Sequence, residues 1–336
     1  MVSTICIVLL LAALGITSLA FPKESMLTIE NRKAATFPSF SWDDWISGEY
    51  QEKLQTYVND HIAFRQKWIT FQCFMDELVF RKTEENGILL GKESQMFTKQ
   101  FDTEQGQAQY IMNVEALAAF ARNAEVPVSV MLVPSPATIL TEQLPWDAPV
   151  ASEAALYKEL QENLQPYSTI LDVRDTLDAH KEEYLYYRTD HHWTQLGAYY
   201  AYQQFCKAAG FEAVALEEFQ TGVYENFVGS MYTFTKGYPQ SQTLYDNPDT
   251  LTYYLPIYET HAKYYADSTL QNGVPVSVVY TQLPESTSNK YLCYIGGDTP
   301  VCVIESAAEG GTCIVLKESY GNAFVPFLTS HYSKII

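Results

Sequence analysis

The chain has 336 residues, of which 47% are hydrophobic and 18% are charged. This composition provides enough apolar side chains for a sizeable core and excludes a disordered polyelectrolyte. The 40 acidic and 21 basic residues give a formal net charge of -19. Such a surface disfavours nucleic acid and anionic lipid as partners, and it accepts a neutral or cationic substrate more easily.

The N-terminus carries an almost unbroken apolar run over residues 5–21. The run is long enough for the core of an export signal and close to the ~20 residues that cross a bilayer. Ser18, Leu19 and Ala20 offer a small-x-small cleavage site, whereas no Lys or Arg precedes the run. We therefore expect residues 1–21 to export the protein, either as a cleaved signal peptide or as a retained membrane anchor.

Residues 22–100 are expected to form an N-terminal helical extension that displays no catalytic grouping. Apolar residues recur at helical spacing most clearly from Tyr50 to Trp68, which predicts a helix. Asn86-Gly87 followed by Ile88–Leu90 predicts a turn and a short strand.

Helical and strand patterns alternate through the next hundred residues. This alternation predicts an α/β fold with a parallel sheet flanked by helices, in which Gly210 ends the third helix. Catalytic groups of such folds lie on loops at the carboxyl ends of strands. The predicted helices are Gln107–Ala124, Ser152–Leu164 and Thr194–Ala209, and the predicted strands are Val126–Val133 and Thr169–Val173.

The last third of the chain returns to regular structure after an irregular segment. Residues 212–289 are rich in tyrosine with little period, so we expect an insertion within a domain that covers residues 101–336. Three β-prone runs follow, and then a helix over Ala323–Ser330. The runs are Lys290–Ile295, Pro300–Ile304 and Thr312–Leu316.

The cysteines do not have metal-site spacing. Cys6 lies in the export segment, and the others form no C-x-x-C pair or Cys/His cluster. We expect them to be small buried residues, with Cys302 and Cys313 as the pair if a disulfide forms.

The densest group of chemically active residues immediately precedes the third predicted helix. Asp190 and His192 are two positions apart, so their side chains point the same way in an extended loop. The carboxylate can then orient the imidazole, which can take and return a proton. The alternative is structural, with Asp190 capping the helix and the imidazoles of His191 and His192 bonding buried carbonyls. Metal binding by adjacent His191 and His192 is disfavoured, because neighbouring residues rarely converge on one ion.

Ser319 supplies the missing nucleophile of a triad. It follows an apolar strand and precedes a predicted helix, where unpaired backbone N–H groups can hold an oxyanion. Such a donor typically contributes ~3–4 kcal/mol to lowering the barrier. The alternative is that Ser319 is an ordinary helix N-cap.

The sequence TDHHWTQLGAYYAYQQF at 189–205 resembles the signature of the DHHW protein family, and further similar segments extend over nearly the whole chain. That family in turn resembles the SGNH-hydrolase-like proteins of alginate O-acetylation, in which an Asp-x-His-Trp motif precedes the serine in a circularly permuted order. The further segments are Glu30–Arg32, Asn86–Phe97, Val133–Pro136, Gly229–Tyr232, Ile295–Asp298 and Leu316–Tyr320.

The resemblance implies roles for individual residues. Asp190 orients, His192 is the base and Ser319 is the nucleophile, while Trp193 packs beneath them and His191 fills a variable position. Around this triad, the oxyanion and substrate-binding candidates are Gly229, Asp298, Tyr320, Asn322 and His191.

Two departures from the related pattern affect the oxyanion hole. Lys317-Glu318 replaces a Gly-Asp pair, and Asp298 stands where the family has an Asn. An ionised Asp298 would repel an oxyanion, so it must be protonated, turned away or irrelevant, which leaves the amides of Gly229 and Ser319 as donors. The chain also stops at Ile336, where the family pattern leads us to expect a further strand, as in a truncated domain.

The sequence thus predicts an extracytoplasmic, serine-dependent O-acyltransferase or acylesterase, with acetyl as the expected group and a cell-envelope or secreted polysaccharide as substrate. No cofactor or metal is implied, because a triad and an oxyanion hole suffice for acyl transfer. By resemblance, a membrane-bound acyl donor protein is an expected partner. The alternative function is a catalytically inactive glycan-binding or envelope-scaffolding protein.

Overall fold

A computed structural model describes residues 2–27, 32–80, 82, 84–99, 103–237, 239–285 and 287–336. Two sequence-based expectations lie outside these residues. They are the Glu30-Asn31 part of the first family segment and the domain boundary placed between residues 100 and 101.

The described elements give a mixed α/β protein. The helices are α1 (Val2–Ala20), α2 (Trp42–Ser47), α3 (Glu49–Asp60), α4 (Arg65–Phe80), α5 (Glu104–Asn123), α6 (Pro136–Ile139), α7 (Glu153–Leu164), α8 (Arg174–Ala179), α9 (Gln195–Ala209), α10 (Ser230–Thr235), α11 (Pro239–Tyr245) and α12 (Gly321–Leu328). The strands are β1 (Met26–Leu27), β2 (Arg32–Lys33), β3 (Glu84–Glu85), β4 (Ile88–Leu90), β5 (Met96–Thr98), β6 (Ser129–Leu132), β7 (Thr169–Asp172), β8 (Thr221–Phe227), β9 (Asp249–Tyr254), β10 (Thr260–Tyr265), β11 (Val274–Val276), β12 (Val301–Ser306), β13 (Thr312–Cys313) and β14 (Lys334–Ile335).

The chain divides into two compact units. The first comprises Met1–Asn86 and Tyr232–Asp246, and the second comprises Gly87–Met231 and Asn247–Ile336. Every residue proposed above for catalysis or for the oxyanion and substrate site belongs to the second unit. The chain leaves this unit after Met231 and re-enters it at Asn247.

In the first unit, α1 occupies most of the apolar run that was predicted to direct export. Within the described part of the chain, no helix is sufficiently long and apolar to span a membrane. The helix predicted over Tyr50–Trp68 is two helices, α3 and α4. Phe64, between them, has a φ of 63°, and this left-handed backbone interrupts a helix that the side-chain period alone would continue.

In the second unit, the helix signals of the sequence are confirmed. Thr103 caps α5, its Oγ1 accepting the Gly106 N–H at 3.0 Å. Gly210, with a φ of 77°, ends α9 in the left-handed conformation. The Asn86-Gly87 turn, where the chain passes from the first unit to the second, is also confirmed, because both residues have the positive φ that a tight hairpin turn requires.

The predicted α/β class is confirmed, but the single parallel sheet is not observed among the described residues. The parallel pair β6–β7 stands apart from a five-stranded sheet ordered β11-β10-β12-β14-β13, in which only β13 and β14 are parallel. Two of its three antiparallel pairs, β10–β11 and β10–β12, involve strands inside the segment predicted to be irregular, and the third is β12–β14. The strands β10 and β11 follow each other in the chain. Their short connection favours an antiparallel hairpin over a crossover.

Several strand predictions near the C-terminus need correction. Residues 290–293 form a 3₁₀ turn, in which the Asn289 side chain accepts the Tyr291 N–H at 3.1 Å. The run Thr312–Leu316 contributes only β13, and β14 inserts between β12 and β13.

Cys302 and Cys313 are free thiols, so the pair that we expected in the case of a disulfide is wrong. Cys302 lies on β12 and Cys313 on β13, with β14 between them. Two strand spacings amount to roughly 9–10 Å, beyond the ~7 Å between Cα atoms that a disulfide can bridge.

The core of the second unit surrounds the start of α9 and α12. Trp193, Tyr202 and Phe327 are each no more than 1% exposed, and the rings of Tyr202 and Phe327 stack at 5.2 Å. Because α12 is buried along Asn322–Leu328, the turn that precedes it, which carries Ser319, is held on a rigid base.

Candidate active site

The structure brings together the three residues predicted to form the triad. The Nδ1 atom of His192 lies 2.5 Å from Asp190 Oδ1, and its Nε2 atom lies 2.7 Å from Ser319 Oγ. Asp190 and His192 are buried, at 2% and 6% exposure. The three side chains therefore form one hydrogen-bonded chain, although His192 and Ser319 are 127 positions apart in the sequence.

The loop that carries Asp190 and His192 is fixed from both sides. The buried carboxylate of Asp249 accepts the backbone N–H groups of Arg188 and Thr189, at 3.1 and 2.9 Å. At the other end, Thr194 caps α9 by accepting the Gly197 N–H at 3.3 Å. The helix cap is therefore Thr194, and not Asp190 as the structural alternative supposed.

Trp193 connects this loop to the serine turn. Its indole Nε1 donates to the carbonyl of Tyr320 at 2.9 Å, and its side chain is almost fully buried. The hydroxyl of Tyr320 in turn donates to the carbonyl of His191. These two bonds run in opposite directions between the same segments and fix the distance between His192 and Ser319.

The second oxygen of Asp190 is held by Ser230, which the sequence analysis did not single out. The N–H and the hydroxyl of Ser230 both donate to Asp190 Oδ2, at 2.9 and 3.0 Å. Ser230 lies in the Gly229–Tyr232 segment that resembles the family, and this resemblance was the only sequence feature that could have indicated its role. Two donors from one residue fix the carboxylate in the orientation that faces His192.

Gly229 lies against Asp190 and does not point an amide at the serine. A Cβ on Gly229 would come within 2.3 Å of the Asp190 Cβ, so only glycine fits at this position. Its N–H donates to Thr189 Oγ1 at 2.9 Å. The role predicted for the Gly229 amide as an oxyanion donor is therefore not supported by this geometry.

The surroundings of Asp190 keep its carboxyl group ionised. Burial alone would raise the pKa of Asp190, but the hydrogen bond from His192, with the neighbouring imidazoles and the Ser230 amide, outweighs it and holds that pKa well below its ordinary value. An ionised Asp190 keeps the proton on His192 Nδ1. Nε2 is then the acceptor for the Ser319 hydroxyl.

Tyr291 forms one wall of the triad and was also missed from the sequence. Its ring stacks on the His192 ring at 3.8 Å with an angle of 8°. Its hydroxyl donates to the carbonyl of Ser319 at 3.0 Å. One side chain therefore fixes both the plane of the His192 ring and the backbone of Ser319. It lies in the segment predicted to be a strand, where nothing in the pattern marks it.

His191 lies beside the triad. Its Nδ1 is 3.0 Å from Ser230 Oγ, and its side chain is 42% exposed. Burial, followed by the charge of His192, lowers its pKa, so the side chain is neutral at neutral pH. It contacts the residue that holds Asp190 and is open to a ligand.

The turn around Ser319 contains two acidic side chains with different surroundings. Asp298 accepts from Lys317 Nζ at 2.7 Å and from Asn322 Nδ2 at 3.2 Å. Burial would raise the pKa of Asp298, but the Lys317 ammonium outweighs this and lowers it. Asp298 is thus ionised and neutralised by Lys317, and the buried Asn322 points its amide at Asp298.

Among the residues that the structure describes, no Lys or Arg pairs with Glu318 as Lys317 pairs with Asp298. The Oε2 atom of Glu318 accepts the N–H of Tyr320 at 3.0 Å and lies 3.4 Å from Ser319 Oγ. The amide of Tyr320, the residue after Ser319, therefore already donates to a carboxylate. The Ser319 N–H has no acceptor within the described residues.

Asp190, His191 and His192 form the one cluster of potential metal ligands found in the described ranges, with ligand atoms within 4.8 Å of one another. Most of these atoms are already engaged. Both Asp190 oxygens accept hydrogen bonds, and both ring nitrogens of His192 face partners. A metal there would have to break the triad, so the arrangement suits proton transfer better.

Comparisons with known sequences agree with the motif assignment. The family model described as DHHW protein matches residues 151–336. Probable alginate O-acetylase AlgJ of Pseudomonas syringae pv. tomato is 23% identical over 232 residues, which cover 66% of this chain and 59% of the relative. The chain thus spans less than two thirds of the length of this curated relative.

Solved structures are similar over about three quarters of the chain. A DHHW family protein from Eubacterium siraeum is 30% identical, with a TM-score of 0.61 over 75% of this chain and 82% of that one. Bacillus cereus PatB1, solved with a sulfonyl adduct, is 18% identical, with a TM-score of 0.56 over 76% of this chain and 86% of that one. The second similarity concerns the fold alone.

Proposed function

The chain belongs to the DHHW protein family, and from this premise we propose that it is a serine-dependent O-acyltransferase or acylesterase with acetyl as the transferred group. The observation that carries the proposal is the 2.7 Å contact between His192 Nε2 and Ser319 Oγ, with Asp190 2.5 Å behind the imidazole. A nucleophile, a base and an orienting acid in this order are the requirements of covalent acyl transfer.

The proposed reaction has two steps. Ser319 Oγ attacks the acyl carbonyl while its proton passes to His192 Nε2, and the C–O bond to the donor breaks as that proton passes to the leaving oxygen. His192 Nε2 then takes a proton from a sugar hydroxyl or from water as that oxygen attacks the acyl-Ser319 ester, and it returns the proton to Ser319 Oγ as the ester bond breaks. The Ser319 N–H is the proposed oxyanion donor, and the pair Lys317–Asp298 keeps Asp298 from adding uncompensated charge.

The substrate proposed for this chemistry is a cell-envelope or secreted polysaccharide. The curated relative is named as a probable alginate O-acetylase, which supports acetylation of a glycan as the reaction class. An extracytoplasmic location, directed by the N-terminal apolar segment, and a membrane-bound protein as acyl donor are parts of the same proposal.

The test is acetyl transfer to short oligosaccharides, with p-nitrophenyl acetate as donor and mass spectrometry as readout. We expect acetylated oligosaccharide or free acetate to form with the unmodified protein and neither to form above background with Ser319→Ala. Equal product from both proteins would contradict the proposal.

A second candidate function is an inactive glycan-binding protein. It is favoured by the two amides that lie next to the triad but already have acceptors, since Gly229 donates to Thr189 and Tyr320 donates to Glu318. For such a protein, Ser319→Ala would bind glycan as well as the unmodified chain does, and no acyl transfer would be found with either.

A further inference from the structure

A cavity of about 480 Å³ opens beside the triad, within the second unit. His191, Glu318 and Tyr320, which flank the reacting residues, line one side of it, and residues of β6, α6 and α7 line the other. This volume is within the range of small-ligand sites, roughly 300–1,000 Å³. It exceeds what an acetyl group needs, so part of the cavity is available to the molecule that receives the acyl group.

The described residues that line this cavity include acidic side chains and no basic ones. Glu153 and Glu318 are its charged lining residues, and no Lys or Arg lines it in the part of the chain that the structure describes. Arg174 lies behind the wall, 4.0 Å from the Tyr157 ring, and it is paired with Asp172 at 2.5 Å. Together with a neutral His191, the lining is anionic at neutral pH.

The two carboxylates are arranged differently. Glu153 is held in place, because its Oε2 accepts from the Thr138 hydroxyl at 2.6 Å. Glu318 is exposed and lies 3.4 Å from the oxygen that attacks the acyl group. An ionised Glu318 beside a developing oxyanion opposes the reaction unless a positive charge accompanies it.

We propose, building on the function proposed above, that the acceptor is a saccharide with a free amino group, and that its ammonium pairs with Glu318 and Glu153 in this cavity. Pairing with an ammonium draws Glu318 away from the Tyr320 N–H and neutralises it. A polyuronate would instead add a carboxylate to two that are already there. The overall charge of -19 acts in the same direction.

The experiment measures binding, so that it does not depend on turnover. Ser319→Ala is titrated calorimetrically at pH 7 and low salt with short oligomers of glucosamine, of N-acetylglucosamine and of a uronic acid. The same titrations are made with Glu318→Gln and Glu153→Gln added singly to Ser319→Ala. Glu162→Gln, on the same helix as Glu153 and exposed to solvent, is the matched control, and thermal melting confirms that each variant is folded.

We expect glucosamine oligomers to bind at least about fivefold more tightly than N-acetylglucosamine oligomers, and uronic acid oligomers to bind least. Each Glu→Gln change at the cavity should remove at least about half of that preference, and Glu162→Gln should leave it unchanged. Equal affinity for the amino and N-acetyl oligomers, no binding of any oligomer, or a preference that survives both cavity substitutions would overturn the proposal. Loss of acyl transfer in Ser319→Ala is a separate result, so the proposed function can fail or stand independently.

Discussion

At the residue scale, the geometry of the site depends on the restricted orientation of the His192 ring. Asp190 bonds one ring nitrogen, Ser319 faces the other, and Tyr291 covers one face of the ring. A buried imidazole with both nitrogens engaged and one face stacked has little freedom to rotate. Its orientation toward Ser319 is therefore set before any substrate binds, which is the condition for efficient proton transfer.

The role of the Asp190 charge is tested by Asp190→Asn, which preserves size and the Ser230 contacts. An amide in this position can donate to Nδ1 and so favour the wrong tautomer of His192. We expect kcat for p-nitrophenyl acetate to fall by roughly 10³–10⁴-fold, with a melting temperature close to that of the unmodified protein. Retention of more than a tenth of the activity would show that Asp190 does not orient the base.

The hydroxyl of Tyr291 is tested by Tyr291→Phe, which keeps the stacked ring and removes the hydrogen bond to the Ser319 carbonyl. A hydrogen bond of this kind contributes about 1 kcal/mol. We expect a decrease in kcat/KM of about fivefold, and a larger decrease with Tyr291→Leu, which also removes the stacking. Equal activity of the Phe and Leu variants would contradict a role for the ring.

The close approach of Asp190, His192 and Ser319 could be predicted from the Asp-x-His spacing, the position of the serine between a strand and a helix, and the resemblance to the DHHW family. The supporting residues could not. Tyr291 and Ser230 act through contacts between segments that are distant in the chain, and no local pattern encodes such contacts. The hydrogen bond from the Gly229 N–H to Thr189 Oγ1 likewise joins segments that are distant in the sequence.

At the element scale, close backbone approach shapes the site. The start of α10 reaches Asp190 only because Gly229, which precedes it, has no side chain, and a Cβ there would lie 2.6 Å from Asp190 Oδ2. Steric fit at one position thus decides whether Ser230 can hold the carboxylate. The position of the turn that carries Ser319 is fixed by α12, whose apolar residues are buried.

Gly229→Ala tests this packing. The added methyl group must displace Asp190, so we expect loss of at least about tenfold in activity and a destabilisation of about 1–3 kcal/mol. Gly311→Ala is the control, because a Cβ at Gly311 would have no neighbour within 4 Å, and it should leave both quantities nearly unchanged. Similar effects of the two substitutions in urea unfolding and in the esterase assay would contradict the account.

Helices were easier to predict than strands. The periods of α5, α7 and α9 and the glycine that ends α9 are local signals, whereas β13 and β14 have two residues each and exist only through pairing. The break between α3 and α4 follows from the backbone of Phe64, which side-chain spacing does not record. Sheet order depends on contacts between distant segments, so the parallel sheet that we expected became a mixed one.

At the scale of the whole molecule, the chain contains two units with different determinants of stability. In the first, Asp60 accepts two bonds from Arg32, at 2.6 and 2.7 Å, and one from the Ala35 N–H at 2.9 Å. The Arg32 hydrogen bond outweighs burial and lowers the pKa of Asp60 to about 2. This ion pair therefore links the folding of the first unit to pH.

The direction of that link follows from the two protonation states. Between about pH 4 and pH 2 the unfolded chain binds a proton that folded Asp60 does not. Its contribution to stability is therefore complete above about pH 4 and is lost as the pH falls through about 2. We expect Asp60→Asn to be less stable at pH 7 and to lose less stability on acidification, measured by circular dichroism. Parallel acid profiles for the two proteins would contradict this assignment.

The central claim is that Ser319 is a nucleophile activated by His192, and the most direct measurement is the site at which the protein is acylated. The protein is mixed with p-nitrophenyl acetate, quenched in acid and digested, and peptides are analysed by mass spectrometry. We predict one added acetyl group on Ser319, formed much more slowly in His192→Gln and absent in Ser319→Ala. Acetylation confined to lysine and tyrosine side chains, or Ser319 labelling at the same rate without His192, would contradict the claim.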